Sequence, residues 1–214
     1  MHTALVADDH QILRSGLKLF LTYSMDMEVT EAQNGEEALA QIAKRDFDIV
    51  LLDLSMPGRA GLDLLKSLRS AKADMPILIL SAQPEERYAV RALKAGASGY
   101  VDKSADTIEL MTAIRKCLAG GRYVSPSLAE KLIEDAARES EDLAAHETLS
   151  DREFQILCQI GSGKSVGGIA KELHLSVKTI STYRKRILEK MKLATNSELM
   201  QYALKHRLLE KVTD

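Results

Sequence analysis

The chain has 214 residues, 45% of them hydrophobic and 28% charged, with a formal net charge of −2. That length and balance suit one large or two modest domains with separate cores, and no apolar run approaches the roughly 20 residues that span a bilayer. Met1 to Ala7 lack the basic start and long apolar stretch of a signal peptide, and Cys117 and Cys158 have neither metal-ligand nor disulfide-framework spacing, so a cytoplasmic protein without a membrane partner is expected.

From the N-terminus, an apolar run at Ala4 to Ala7 reads as a strand and Ile12 to Tyr23 as a helix. A weaker, more polar strand candidate at Glu28 to Ala32 precedes a helix over Glu36 to Lys44. Strands at Ile49 to Leu52, Ile77 to Leu80 and Tyr100-Val101 follow, with helices at Leu62 to Ser70, Glu86 to Ala95 and Thr107 to Leu118. This (βα)5 alternation predicts an α/β unit with a doubly wound parallel sheet, and such sheets place their sites beyond the carboxyl ends of the strands.

The residues just past those ends are Asp8-Asp9, Asp53, Ser81 and Lys103. Any one of these carboxylates alone is usually a solvated strand-end cap; together with a hydroxyl and an amine they form a rim. Crowded carboxylates repel, so the rim should take a divalent cation. Mg2+ fits this donor count, because it shares a few carboxylates with water and phosphate oxygens. Lys103 would neutralise a phosphate oxygen as a point charge, and Ser81 would donate a hydrogen bond to another. No further general acid or base, such as a histidine, is expected near the rim.

Gly120-Gly121 ends this unit, and residues 121–147 form an acidic connector, helical from Pro126 to Arg138, where proline suits the first turn. Residues 148–214 hold 12 Lys and Arg against 7 Asp and Glu, a balance suited to a polyanion. Ser150 and Glu153 form a capping box, with Leu149 and Phe154 positioned to staple the helix that runs to about Ile160. Helices over Val166 to Leu173, Ser176 to Met191 and Thr195 to His206 complete a four-helix domain that contains a helix-turn-helix. At 100° per residue, Val177, Ile180, Ile187, Leu188 and Met191 share one face of the third helix. Lys178, Thr182, Lys185 and Arg186 share the other, with Ser181 at its flank. Gly161-Ser162-Gly163-Lys164-Ser165 imitates the end of a P-loop but lacks the earlier glycine and follows a helix, so it reads as a turn.

Val6-Ala7-Asp8-Asp9-His10, Leu52-Asp53-Leu54-Ser55-Met56-Pro57-Gly58, Leu80-Ser81-Ala82 and Gly96 to Lys103 resemble the receiver domain of two-component response regulators. Leu149 to Glu153, Ile169 to Leu173 and Leu175 to Thr182 resemble the LuxR-type helix-turn-helix, and the whole chain is similar to the NarL/FixJ group. The resemblance implies a receiver over 1–120, a linker over 121–147 and a DNA-binding domain over 148–214. It implies Asp53 as phosphoacceptor, charged by a sensor histidine kinase, with Mg2+ held by Asp9, Asp53 and the Ser55 carbonyl and by Asp8 through water. Ser81 and Tyr100 become the pair that reports phosphorylation, and Ser181, Thr182 and Lys185 become base readers.

On the same resemblance, Lys178, Thr179, Tyr183 and Arg184 contact the DNA backbone, and Leu199, Tyr202 and Ala203 of the last helix form a dimer surface. RNA polymerase is a further expected partner. Gly167-Gly168 departs from the family pattern, each glycine costing a helix interior about 0.8 to 1.0 kcal/mol, and the second helix of this domain is expected to fray at its start. Two rival functions are a Mg2+-dependent phosphotransfer or phosphatase enzyme that uses its helical domain for assembly, and a regulator that binds DNA independently of phosphate.

Overall fold

The computed structural model describes residues 1–56, 61–82, 85–130, 145–206 and 208–209. Pro57-Gly58 and the predicted connector helix beyond residue 130 lie outside them. The chain divides into two compact units, Met1–Ala136 and Ala137–Asp214.

In the first unit, strands β1 (His2–Ala7), β2 (Met27–Ala32), β3 (Ile49–Leu52), β4 (Ile77–Ser81) and β5 (Gly99–Asp102) form one parallel sheet in the order β2-β1-β3-β4-β5. Helices α1 (Gln11–Met25), α2 (Gly35–Lys44), α3 (Gly61–Ala71), α4 (Glu85–Lys94) and α5 (Thr107–Leu118) alternate with the strands. Every residue of β3 and β4 is buried, which is why these strands read as unbroken apolar runs rather than alternating ones. One sheet face, carrying Ala4, Val6, Ile49, Leu51, Leu78, Leu80 and Val101, packs on Leu17 and Leu21 of α1 and on Leu110, Ala113, Ile114 and Cys117 of α5. The order of the strands reverses direction between β1 and β3. That switch point leaves a crevice outside their carboxyl ends, and Asp8, Asp9 and Asp53 stand there.

The start of the predicted connector packs on this unit. The Tyr123 N–H donates to the Ser98 carbonyl at 2.8 Å, its hydroxyl donates to Glu109 at 3.0 Å, and the Ser125 hydroxyl donates to Glu85 at 2.6 Å. Tyr123 crosses directly over Gly99, where a Cβ would sit 2.9 Å from the tyrosine Cβ, so only glycine fits beneath it. Ser125 also accepts the Leu128 N–H at the start of the helical residues 126–130.

Among the described residues, the second unit comprises a 3-10 turn at Ala145–Thr148 followed by α6 (Asp151–Gly161), α7 (Val166–Glu172), α8 (Val177–Met191) and α9 (Asn196–Lys205). The capping box at Ser150 and Glu153 is formed as expected, and Leu149 and Phe154 are both buried beside it. Fraying at Gly167-Gly168 is not seen: α7 is helical from Val166, because the Ser165 hydroxyl accepts the Gly168 N–H at 3.1 Å and satisfies one of the donors a helix start leaves open. The P-loop imitation is the turn from α6 to α7, with Gly163 at φ 81° and Lys164 paired to Glu172 at 2.6 Å. Ile180, Ile187, Leu188 and Met191 of α8 are buried as their spacing predicts. Val177 is not; it is 56% exposed, in the first turn of α8.

Candidate functional site

Asp8 and Asp53 are buried where β1 and β3 end, and both reach Lys103, which follows β5. The ammonium lies 2.7 Å from Asp8 Oδ2 and 2.8 Å from Asp53 Oδ2. The second Asp53 oxygen, Oδ1, accepts the Ser55 N–H at 2.9 Å, which fixes the loop after β3 against the carboxylate. Burial pushes the Asp53 carboxyl above its ordinary range, opposed by the hydrogen bond and charge of Lys103. The backbone itself assembles the rim: Asp53 N–H donates to Ala7 O at 2.8 Å, Asp8 N–H to Ala32 O at 3.1 Å and Lys103 N–H to Ser81 O at 3.0 Å.

Ser81 and Tyr100 are both buried, at the end of β4 and within β5, and their side chains hydrogen-bond to each other. Burial raises the Tyr100 phenol well above its ordinary value, so it stays protonated and remains a donor.

The rim contains a histidine that sequence reasoning missed. His10 Nδ1 lies 3.0 Å from Asp9 Oδ1 and 3.3 Å from Asp8 Oδ1, and the His10 N–H donates to Asp8 Oδ1 at 2.8 Å. The carboxylates just past β1 are Asp8 and Asp9, and His10 is the next residue, the one preceding α1. Its adjacency in Asp8-Asp9-His10 was the available signal. The expectation that no histidine stands near the rim is therefore corrected, and one objection to the enzyme reading goes with it.

One ligand atom from each of Asp8, Asp9, His10 and Asp53 can be chosen so that all lie within 4.8 Å of one another. The buried Asp8 and Asp53 carboxylates share the one ammonium of Lys103, with the exposed Asp9 close to them, leaving an excess of negative charge at the rim. A divalent cation relieves that excess, so these residues fit one.

In the second unit, α7 and α8 form the helix-turn-helix, turning through His174 at φ 52°. Lys178, Ser181, Thr182, Lys185 and Arg186 are exposed along α8, while Thr179, Tyr183 and Arg184 are half-buried. Ser181 and Thr182 donate their hydroxyls to the carbonyls of Val177 and Lys178, so in this state each presents an acceptor oxygen. Arg184 donates to Asn196 Oδ1 at 2.5 Å and ties α8 to α9. Lys190 is also committed internally, with Nζ 2.6 Å from Glu153 Oε2. Burial alone would raise Glu153; Lys190 and Ser150 outweigh it and hold the carboxyl below its ordinary range.

The predicted dimer residues need correction. Leu199 and Ala203 are fully buried in the core of this unit. Tyr202 is half-buried and bound within the unit: its hydroxyl lies 3.0 Å from His146 Nδ1 and its ring stacks on His206 at 4.2 Å. Helical spacing identifies an apolar face but does not say whether it packs on its own domain or on a second copy. The exposed apolar residues of α9 are Met200 and Leu204.

An acidic rim at the switch point of a (βα)5 sheet, followed in one chain by a helix-turn-helix unit with a basic outer face, is the architecture of a two-component response regulator with a DNA-binding output. Residues 4–115 match the response regulator receiver domain and residues 147–203 match the luxR family of bacterial regulatory proteins. The chain is 34% identical to the response regulator GacA of Pseudomonas aeruginosa over 98% of this chain and 99% of the relative. It is 32% identical to the response regulator UvrY of Escherichia coli over 100% and 98%. Among solved structures it is similar to RcsB from Salmonella enterica serovar Typhimurium bound to promoter rprA in the presence of the phosphomimetic BeF3−, with a TM-score of 0.65 and 25% identity over 94% of this chain and 98% of that one. A LuxR-family response regulator from Aurantimonas sp. gives a TM-score of 0.60 at 34% identity over 64% and 99%. The chain belongs to the LuxR-type, NarL/FixJ family of response regulators. Among the described residues, no helix is long and apolar enough to cross a membrane.

Proposed function

We propose that Asp53 accepts a phosphoryl group from a sensor histidine kinase, and that the phosphorylated chain dimerises and binds specific duplex DNA in the cytoplasm to regulate transcription, with RNA polymerase as a further partner. The observation that carries this reading is the buried Asp53 carboxylate, with one oxygen held by Lys103 at 2.8 Å and the other by the Ser55 N–H at 2.9 Å. Phosphoryl transfer asks mainly for positioning and charge neutralisation, and these contacts aim the carboxylate while Lys103 balances charge on the transferred group. Asp9, Asp53 and the Ser55 carbonyl would hold Mg2+, with Asp8 acting through water; the ion supplies further neutralisation of the phosphoryl oxygens. The receiver assists only its own phosphorylation and dephosphorylation.

The Ser81–Tyr100 hydrogen bond supports a switch in which Ser81 turns toward the phosphoryl group and Tyr100 follows it. Ser181, Thr182 and Lys185 are assigned to base reading, and Lys178, Thr179 and Tyr183 to the DNA backbone. Arg184, anchored on Asn196, reaches phosphate only by giving up that bond. The dimer contact is assigned to the α9 face bearing Met200 and Leu204, with Tyr202 at its margin. The RcsB neighbours include a DNA complex and two dimers bound to two DNAs, which favours this output for a chain with the same two domains. Acetyl phosphate labelling tests the central assignment: Asp53→Asn should abolish it, and labelling at full stoichiometry in that variant would refute it.

A further inference from the structure

The chain that leaves the receiver is held where it begins. Tyr123, Ser125 and Leu128 are all buried, and Tyr123 pairs with Gly99 of β5, at the edge of the sheet. Two acidic residues from different helices grip this stretch. Glu109 of α5 accepts the Tyr123 hydroxyl at 3.0 Å, and Glu85, the first residue of α4, accepts the Ser125 hydroxyl at 2.6 Å. The same Glu85 carboxylate stands near Tyr100: burial raises the phenols of Tyr100 and Tyr123, and the charge of Glu85 adds to the rise in both. Glu85 also follows Ser81 by only four residues. It is therefore tied to the Ser81–Tyr100 pair by chain and charge, and to the connector by a hydrogen bond.

We propose that Tyr123 to Leu128 form a latch, closed on Glu85 and Glu109 in the unphosphorylated receiver and opened when Asp53 is phosphorylated. The proposal rests on the reading of Asp53 as phosphoacceptor with Ser81 and Tyr100 as its reporting pair, and it names the contact through which they act on the connector. Ser81 moving toward a phosphoryl group pulls on the few residues that lead to Glu85, and Tyr100 moving with it changes the surroundings of the same carboxylate. The bond from Ser125 to Glu85 is charge-assisted and short, yet a displacement of about 1 Å takes it beyond hydrogen-bond range. The same Ser125 oxygen accepts the Leu128 N–H at 3.1 Å, so opening the latch also loosens the helical turn that starts there. Everything that joins the receiver to the DNA-binding unit lies beyond Leu128 in the chain, and an open latch lengthens the tether of that unit.

Amide hydrogen exchange of the full-length protein, with Mg2+ and with or without the phosphoryl mimic BeF3−, reads the latch at the Tyr123 N–H bonded to Ser98 O and the Leu128 N–H bonded to Ser125 Oγ. In wild type both amides should exchange about tenfold faster or more once BeF3− is bound, the effect of losing one hydrogen bond to a charged group. Tyr123→Phe and Ser125→Ala each remove one hydroxyl and leave the rim intact. Both should exchange faster without BeF3− and, because coupling is reciprocal, should bind BeF3− more tightly than wild type, by up to about tenfold. Faster exchange in these variants with unchanged BeF3− affinity would overturn the latch, since it would make Tyr123 and Ser125 structural anchors only. So would wild-type Tyr123 and Leu128 amides that ignore BeF3− while those of Asp53 and Lys103 slow. No effect of BeF3− at the Asp53 and Lys103 amides would instead refute the phosphoacceptor reading, and the latch with it.

Discussion

Replacing Lys103 by methionine isolates the electrostatics of the rim. Asp8 and Asp53 touch the same ammonium at 2.7 and 2.8 Å, so their oxygens lie at most about 5.5 Å apart. At an effective dielectric of about 20, each attraction to Lys103 is about 6 kcal/mol and the repulsion left behind at least about 3 kcal/mol. Removing the lysine also ends the cost of burying its ammonium. The net loss should therefore resemble that of other buried pairs stripped of one partner, about 3 to 5 kcal/mol without added metal at pH 7. Amide hydrogen exchange on the full chain reads this locally, at the Asp53 N–H bonded to Ala7 O and the Asp8 N–H bonded to Ala32 O. Exchange governed by opening of the whole unit should speed up by about two to four powers of ten, and a saturating divalent cation should recover part of the loss. Unchanged exchange in metal-free Lys103→Met would refute the reasoning, because the two carboxylates would then need no counter-charge.

Three further outcomes are expected from the second unit. Glu153 has a folded-state carboxyl below its ordinary range, so its contribution is present above the unfolded value and lost as pH falls through the folded one; Glu153→Gln should cost about 1 to 2 kcal/mol near neutrality and nothing in acid, read as a convergence of the two thermal melts. An added Cβ at Gly161 would lie 2.8 Å from Ala203 Cβ and 2.6 Å from Leu209 Cδ2, so Gly161→Ala should destabilise by about 1 to 3 kcal/mol in urea unfolding; an unchanged midpoint would contradict that close approach of α6 and α9. In fluorescence anisotropy with duplex DNA, Lys178→Ala should weaken binding across sequences and reduce the salt slope by about 0.9, Lys185→Ala should weaken binding to the specific site more than to unrelated duplex, and Lys190→Ala should leave the slope intact and lower stability through Glu153.

Much of this was legible because parallel sheets follow a positional rule. Apolar runs located the strands, and the residues just past the ends of those runs gave Asp8, Asp9, Asp53, Ser81 and Lys103. Capping chemistry did the same for the second unit, where Ser150, Ser176 and Thr195 all cap the helices that follow them. What stayed hidden depends on a partner far along the chain. Lys190 looks like any other base on α8 until Glu153 appears beside it, 37 residues away in sequence. Tyr123 and Ser125 look like linker residues until Glu109 and Glu85 hold them. Leu199 and Ala203 have the spacing of an apolar face whichever surface they meet, and only their burial assigns them to the domain's own core. His10 escaped for a different reason: it belongs to no strand, and its place beside Asp8 and Asp9 follows from the turn into α1.

Occupancy of chromosomal DNA, mapped genome-wide in cells carrying either wild-type protein or Asp53→Asn at equal abundance, tests the link between the rim and the recognition helix most directly. Wild type should mark discrete loci under conditions that activate its kinase, and Asp53→Asn should lose them. Equal occupancy of the same loci by both proteins would contradict control of DNA binding by Asp53.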